Sequence, residues 1–452
     1  MSKHNHNANG SVSRRGFLQT SAAMAGAAAA ANLRMAHGAE SNSLGEVRIG
    51  LIGCGGRGTG ALLDALGAAT KVIYPQLGYH TEHVAEGASV EKKDIKVAAL
   101  ADLFSNRLEQ CKKQINKLGI DVPANRCFTG FDAYQQLLAL ADVNYVILAT
   151  PPRFRAEQLE AAVNAGKHVF MEKPVAVDIP GVKTVMAAGE AAKAKGLGIA
   201  AGTQRRHQKD YRETIQRIQD GAIGELVYGR CYWNGGEIWV IPREEGWSDI
   251  EWQIRNWNYF TWLSGDHYVE QHVHNLDIMN WVFGAHPVKA ISGIGGRQVR
   301  TAEVNGYIYD HFAVEYEYPD GQRMFSQARQ INGCQNKVEE TIVGTNGESN
   351  CRDWITAKGQ RRWRYRGEKV NPYRQEHQDL IASVRAGEPI NEAQAIAEAT
   401  MTGIMGREAA YSGKAITWDE AMKSTTRLGP EKLEFGNYPI QPVAMPGTYK
   451  FS

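Results

Sequence analysis

Between residues 46 and 203, short apolar runs alternate with longer stretches whose apolar positions recur at helical spacing. The apolar runs at 47–52, 95–100, 145–149, 168–171 and 198–201 read as buried strands. Those at 58–69, 105–117, 158–165 and 182–195 read as the helices between them. Strands apolar on both faces and separated by helices predict a parallel, doubly wound sheet. After residue 203 the texture changes. A helix over 209–220 precedes strands at 226–233 and 337–343, with a hairpin between 312–318 and 322–328 around Asp320-Gly321. Helices over 377–386 and 391–411 close at Gly387 and Gly413. The expected architecture is an α/β domain over 45–203 and, over 204–452, an α+β domain with a large open, mainly antiparallel sheet.

The first 39 residues stand apart from this pattern. Ser13-Arg14-Arg15-Gly16-Phe17-Leu18-Gln19 matches the twin-arginine export motif, and an alanine-rich stretch leads to small residues near Gly38-Ala39. The expectation is a cleaved leader over 1–39, a periplasmic or secreted protein, and no stable membrane span after cleavage, since spanning needs about 20 apolar residues. Composition adds little beyond exclusions. The 452 residues carry 51 basic and 49 acidic side chains, a net charge of +2, with no like-charge block to attract nucleic acid. Six cysteines show no metal-binding spacing and read mostly as free thiols.

Gly53-x-Gly55-x-x-Gly58 follows the first strand and opens the first helix, the context in which a glycine loop cradles a pyrophosphate. The first glycine permits the turn, the second lets backbone approach the phosphates, and the third lets helix and strand pack closely. Unpaired N–H groups at the helix start complete the anion site. Asp102, at the end of the second strand, is placed to accept hydrogen bonds from a ribose, favouring NAD, with NADP as the alternative. It lies 49 positions beyond Gly53, against the usual spacing of about 20. The excess falls in 71–93 and reads as an inserted loop near the cofactor mouth. The expected cofactor set is Gly53, Gly55, Gly56, Arg57, Gly58, Asp102, Thr150, Pro151, Glu172 and Lys173, with Arg57 and Arg107 as candidate phosphate contacts.

Further motifs narrow the class: Thr150-Pro151, Ala165-Gly166-Lys167-His168-Val169, Glu172-Lys173-Pro174, Gly221-Ala222-Ile223-Gly224 and a histidine motif around His274. With the glycine loop and Asp102, they make residues 46–420 resemble the Gfo/Idh/MocA family of glucose–fructose oxidoreductase and inositol dehydrogenase. The resemblance implies a Rossmann domain, an open-sheet second domain, and carbohydrate or cyclitol chemistry in the cleft between them. It places Lys173 beside the nicotinamide, and puts the remaining acid/base groups in the histidine motif, with His274 and Glu270 catalytic. Glu270 departs from the commoner aspartate. If one helix carries 270 and 274, they share a face, and the carboxylate would orient the imidazole. Asp277 and His272 are candidate substrate contacts, with Arg205 and His207 at the domain junction. The Glu/His/His/Asp set has metal-ligand chemistry, but the resemblance accounts for it without one, so no metal is expected. Arg155 is a second departure. It either alters contacts to the nicotinamide ribose or covers a helix start.

Six of the ten tryptophans fall between 232 and 262, where Trp233 and Trp257 are candidates for stacking on sugar faces. The leading expectation is an NAD-dependent oxidoreductase acting on a saccharide or cyclitol hydroxyl. Export implies a tightly held cofactor, because free NAD is not expected outside the cytoplasm. The alternatives are a redox-neutral NAD-dependent glycosidase and a non-catalytic saccharide-binding protein. The resemblance also suggests a homo-oligomer, dimer or tetramer.

Overall fold

Every side chain of Val47–Ile52 (β1) except Arg48 is buried, as a strand covered on both faces requires. The structure, a computed structural model, describes residues 44–451 except 69 and 75–78. The leader expected over 1–39 lies outside the described residues. After β1 come Gly56–Ala65 (α1), Thr70–Tyr74 (β2), Tyr79–Val84 (β3), Ile95–Asp102 (β4), Ser105–Asn116 (α2), Cys127–Thr129 (β5) and Ala133–Leu138 (α3). Tyr145–Leu148 (β6), Pro152–Asn164 (α4), His168–Met171 (β7), Ile179–Ala194 (α5) and Ile199–Ala201 (β8) complete this half. Six strands pair in parallel in the order β5-β4-β1-β6-β7-β8. The chain winds outward from β1 in one direction, then in the other, so the order reverses between β1 and β6. At such a switch point the loops leaving the strands diverge and open a crevice at their carboxyl ends. The stretch expected as an inserted loop over 71–93 is instead largely an antiparallel hairpin of β2 and β3, joined to α2 by Val84 N–H donating to Gln114 (3.3 Å).

The second half runs Lys209–Gln219 (α6), Leu226–Gly235 (β9), Asp249–Arg255 (α7), Thr261–Ser264 (α8), His267–Glu270 (α9), Val273–Phe283 (α10), Lys289–Gly296 (β10), His311–Glu317 (β11), Arg323–Gln330 (β12) and Lys337–Gly344 (β13). Gly347–Ser349 (β14), Trp354–Ala357 (β15), Trp363–Arg364 (β16), Pro372–Arg385 (α11), Ala393–Ser412 (α12) and Ile416–Thr417 (β17) follow. Nine strands form one sheet in the order β16-β15-β14-β13-β9-β12-β11-β10-β17, antiparallel except for β9 beside β12. The expected hairpin is present: Glu317 pairs with Arg323 across Asp320-Gly321, where Gly321 has φ +80°. Side chains of β11 and β12 alternate in exposure, one face buried under helices and the other open.

The last helices return to the first half. Leu380, Ile381 and Val384 of α11 share a core with Val47, Ile49 and Leu51 of β1. The residues before α12 add backbone bonds to β8, with Ile199 N–H donating to Ile390 (2.9 Å) and Glu392 N–H to Ile199 (3.0 Å). From residue 44 onward the chain packs as one compact unit, which holds the two sheets in fixed relation. No helix among the described residues is long and apolar enough to cross a membrane.

Candidate active site

The glycine loop fits tightly on itself. Gly53 has φ +96°, and a Cβ there would lie 2.6 Å from the Ala149 carbonyl carbon; one on Gly58 would meet the Gly53 carbonyl oxygen at 1.8 Å. Gly55 caps α1 without any side-chain hydrogen bond, so the first-turn N–H groups, Gly56 included, remain available to an anion. Asp102 accepts from Cys54 N–H (2.7 Å) and Phe104 N–H (2.8 Å), which fixes the carboxylate at the loop. Burial pushes its pKa up, and those two bonds together with Arg107 and Arg255 pull it partly back. A cavity opens here, lined by Gly53, Gly55, Asp102, Arg107, Thr150 and Pro151 among others. These residues suit a dinucleotide: a backbone cradle for phosphates, with a carboxylate at the adjoining strand end.

Arg57 is not the phosphate contact expected of it. Its guanidinium pairs with Glu172 (2.5 Å), Glu376 (3.3 Å) and Asp64 (3.4 Å). Arg107, whose guanidinium lies against Gly55, is the arginine that lines the cavity. Burial raises Asp64 to about 6, despite Arg57, and pushes Glu376 well up. Glu172 therefore ties the turn carrying Lys173 to the helix of the glycine loop.

Lys173 follows β7 and precedes a cis bond to Pro174. Its Nζ donates to Glu270 Oε1 and to the Glu270 backbone carbonyl, both at 2.8 Å, with each residue 7% exposed. Glu270 thus holds the lysine and does not orient the imidazole. The reason is local: the expected single helix breaks at Gln271-His272, so Glu270 ends α9 while His274 sits in the first turn of α10. Arg155 covers the helix start. It donates to the carbonyls of Thr150 (2.7 Å) and Pro174 (2.6 Å), joining the ends of β6 and β7. Burial pulls it down to about 10, opposed by Glu172 and Glu270.

His274 is 4% exposed and stacks on Trp233, with ring centroids 5.8 Å apart. Burial, then the charges of Lys173, Arg205 and Arg57, hold its imidazole well below the usual pKa, so it is neutral at neutral pH. Glu270 thus holds Lys173 and Trp233 backs His274, with the Lys173 charge felt at the imidazole.

Four other expected contacts serve the frame. His272 is fully buried, bonded to Ser326 of β12 (2.6 Å), and pushed down by burial to about 3. Asp277 binds Arg206 in a bidentate ion pair (2.8 and 2.9 Å). His207 is fully buried between Asp379 (2.7 Å) and Glu392 (3.3 Å). Burial alone would lower it, but these carboxylates outweigh that and hold it at about 9. Arg205 pairs with Glu340 of β13, which also accepts from Asn275 (2.6 Å), and lies over the Trp233 ring (5.9 Å). Each is a charge or imidazole taken from water and matched where sheet, helix and junction meet. Trp257 lines the dinucleotide cavity beside Asp102. Glu340, Glu376 and Asp64 escaped the sequence reading. Only Asp64, two turns after Arg57 on one helix face, had a local signal.

Residues 47–201 match the oxidoreductase family with an NAD-binding Rossmann fold, and residues 211–349 the Gfo/Idh/MocA C-terminal domain. The chain belongs to the Gfo/Idh/MocA family. Among family relatives, an inositol 2-dehydrogenase of Azotobacter vinelandii is 32% identical over 178 residues, 39% of this chain and 49% of that protein. A glycosyl hydrolase family 109 protein of Shewanella amazonensis is 26% identical over 234 residues, 49% of this chain and 45% of its own. The chain spans about half the length of these curated relatives. Scyllo-inositol dehydrogenase of Lactobacillus casei, solved with NAD(H) and scyllo-inositol, superposes with a TM-score of 0.58 at 19% identity, covering 82% of this chain and 99% of that one. The Gfo/Idh/MocA fold therefore extends well past the matched sequence.

Proposed function

We propose that this protein is an NAD-dependent oxidoreductase acting on a ring hydroxyl of a carbohydrate or cyclitol, exported with its cofactor already bound. The observation that carries the reading is the Lys173–Glu270 pair, buried just past the end of β7 and joining the first half of the chain to α9 of the second. When bound, NAD supplies the hydride acceptor and donor. The chain's own groups handle the proton. The Lys173 ammonium, fixed by Glu270, stabilises the carbinol oxygen as it loses its proton. Neutral His274 accepts that proton and returns it in the reverse direction. Trp233, buried behind the imidazole with Arg205 over its ring, backs His274. The dehydrogenases of inositol among the relatives support a cyclitol as substrate.

Glycosyl hydrolase family 109 relatives support a second reading, in which a sugar is transiently oxidised, loses its aglycone and is reduced again. One experiment separates the two. The protein is purified without added cofactor, and absorbance in the NADH band is followed on adding cyclitols, sugars and glycosides. Net NADH build-up supports the oxidoreductase, and aglycone release without build-up supports the glycosidase. Neither signal, with no dinucleotide bound, overturns both. Export is tested by fractionation: replacing Arg14 and Arg15 with lysine should leave the protein in the cytoplasm. The open face of the nine-stranded sheet, exposing Phe325 and Ile294, is where a second copy would pack.

A further inference from the structure

The cavity at the glycine loop has a wall that the first half of the chain does not supply. Ile254 and Trp257, from the segment between β9 and α8, line it together with Asp102 and Phe104. Arg255, between them, stacks its guanidinium 3.7 Å from the Phe104 ring centroid and 4.6 Å from that of Trp247. It also reaches Asn106 at the start of α2 (3.4 Å), while Glu251 holds its other edge (2.9 Å). A second segment lies on top. Phe435 is 47% exposed, yet its ring sits 6.0 Å from Phe104 and 5.1 Å from Phe131, both of which line the cavity. The two segments are tied together: Ile250 N–H donates to Gly436 (3.2 Å), Tyr438 N–H to Asp249 (3.0 Å) and Gln253 to the Tyr438 carbonyl (2.5 Å).

We propose that Arg255 and Phe435 form a clasp over the adenosine half of the dinucleotide site, making the nucleotide a retained group exchanged far more slowly than the enzyme turns over. This rests on the NAD reading above. Ile250, Trp252 and Ile254 share a buried core with Phe104 and form a fixed wall; what rests on the outside of Phe104, at the strand end that presents Asp102, is the exposed Phe435 ring and the partly exposed Arg255 guanidinium. A nucleotide leaving past Asp102 must break the stack of Arg255 on Phe104 and displace Phe435. It need not disturb Lys173, His274 or the sheet behind them. An enzyme built this way regenerates its cofactor within each catalytic cycle, by a second oxidised or reduced saccharide or by a redox-neutral reaction.

The test is the release rate of NADH, read as loss of its bound fluorescence after mixing with excess NAD. Wild type should retain NADH through gel filtration. Phe435→Ala and Arg255→Ala should each release it about tenfold faster or more, the effect residing in the off-rate. Phe435 is exposed and Arg255 lies at a helix end, so circular dichroism and thermal unfolding should show both variants folded. Release rates equal to wild type in both folded variants overturn the clasp, as does wild type that exchanges NADH within one turnover. Wild type that binds neither NAD nor NADH after stripping and reloading overturns the cofactor reading as well, which distinguishes the two failures.

Discussion

The glycine loop and the histidine segment are both short, motif-bearing stretches, yet they obey different rules. In the loop, function follows from local backbone sterics: a Cβ on Gly58 would meet Gly53 O at 1.8 Å whatever surrounds it. In the segment 266–277, four polar residues close in sequence diverge in space. Glu270 takes Lys173, His274 stacks on Trp233, His272 turns to Ser326, and Asp277 clamps Arg206. A backbone motif transfers from sequence to site unchanged. A side-chain motif is sorted by which neighbour removes each group from water.

The sharpest break between the two regions comes from Lys173→Ala. It should lower kcat by about 10²–10⁴-fold, the range for losing one acid/base group, with dinucleotide affinity unchanged in a fluorescence titration. A parallel loss of affinity would mean that Lys173 belongs to the loop's chemistry. Gly58→Ala tests the converse. Dinucleotide Kd should rise about a hundredfold, since backbone and not a side chain must yield, and an unaltered Kd would refute the tight-loop account. Asp102→Ala should shift the NAD:NADP preference by about tenfold towards NADP, because Arg107 remains and the carboxylate that repels a 2′-phosphate is gone; the two Kd values check it.

The smallest effect concerns the frame alone. His207 titrates at about 9 in the folded protein, above the unfolded value of about 6.5. Its contribution is therefore complete below about pH 6.5 and is lost as pH rises through 9, a term of order 1–3 kcal/mol. Urea unfolding at pH 6 and pH 10 should show that fall in wild type, and His207→Gln should flatten it. An equal slope in both would assign the pH dependence elsewhere.

Much of this was legible in the chain. The strand–helix alternation, the hairpin at Asp320-Gly321 and the glycine loop rest on hydrophobic period and backbone conformation, which act over a few residues. The motif Glu172-Lys173-Pro174 marked a lysine that the structure buries against Glu270, and Asp102 a carboxylate held at the glycine loop. The hairpin over β2 and β3 was missed because its apolar pattern is weak, so pairing and not periodicity defines it. Arg57 misled because a basic residue in a phosphate loop looks free until its partners are known, and Glu376 lies 319 positions away.

By itself, then, the sequence determined the cradle: which backbone turns, where the helix begins, and which residue types stand at the strand ends. Tertiary structure decided the allegiances of the charged and aromatic side chains, including the break between α9 and α10 and the placing of Trp257 over the dinucleotide cavity. The physical reason is that a buried charge costs several kcal/mol unless it is paired. Its partner is then set by what packs against it, and that partner lies a hundred or more residues off as readily as four.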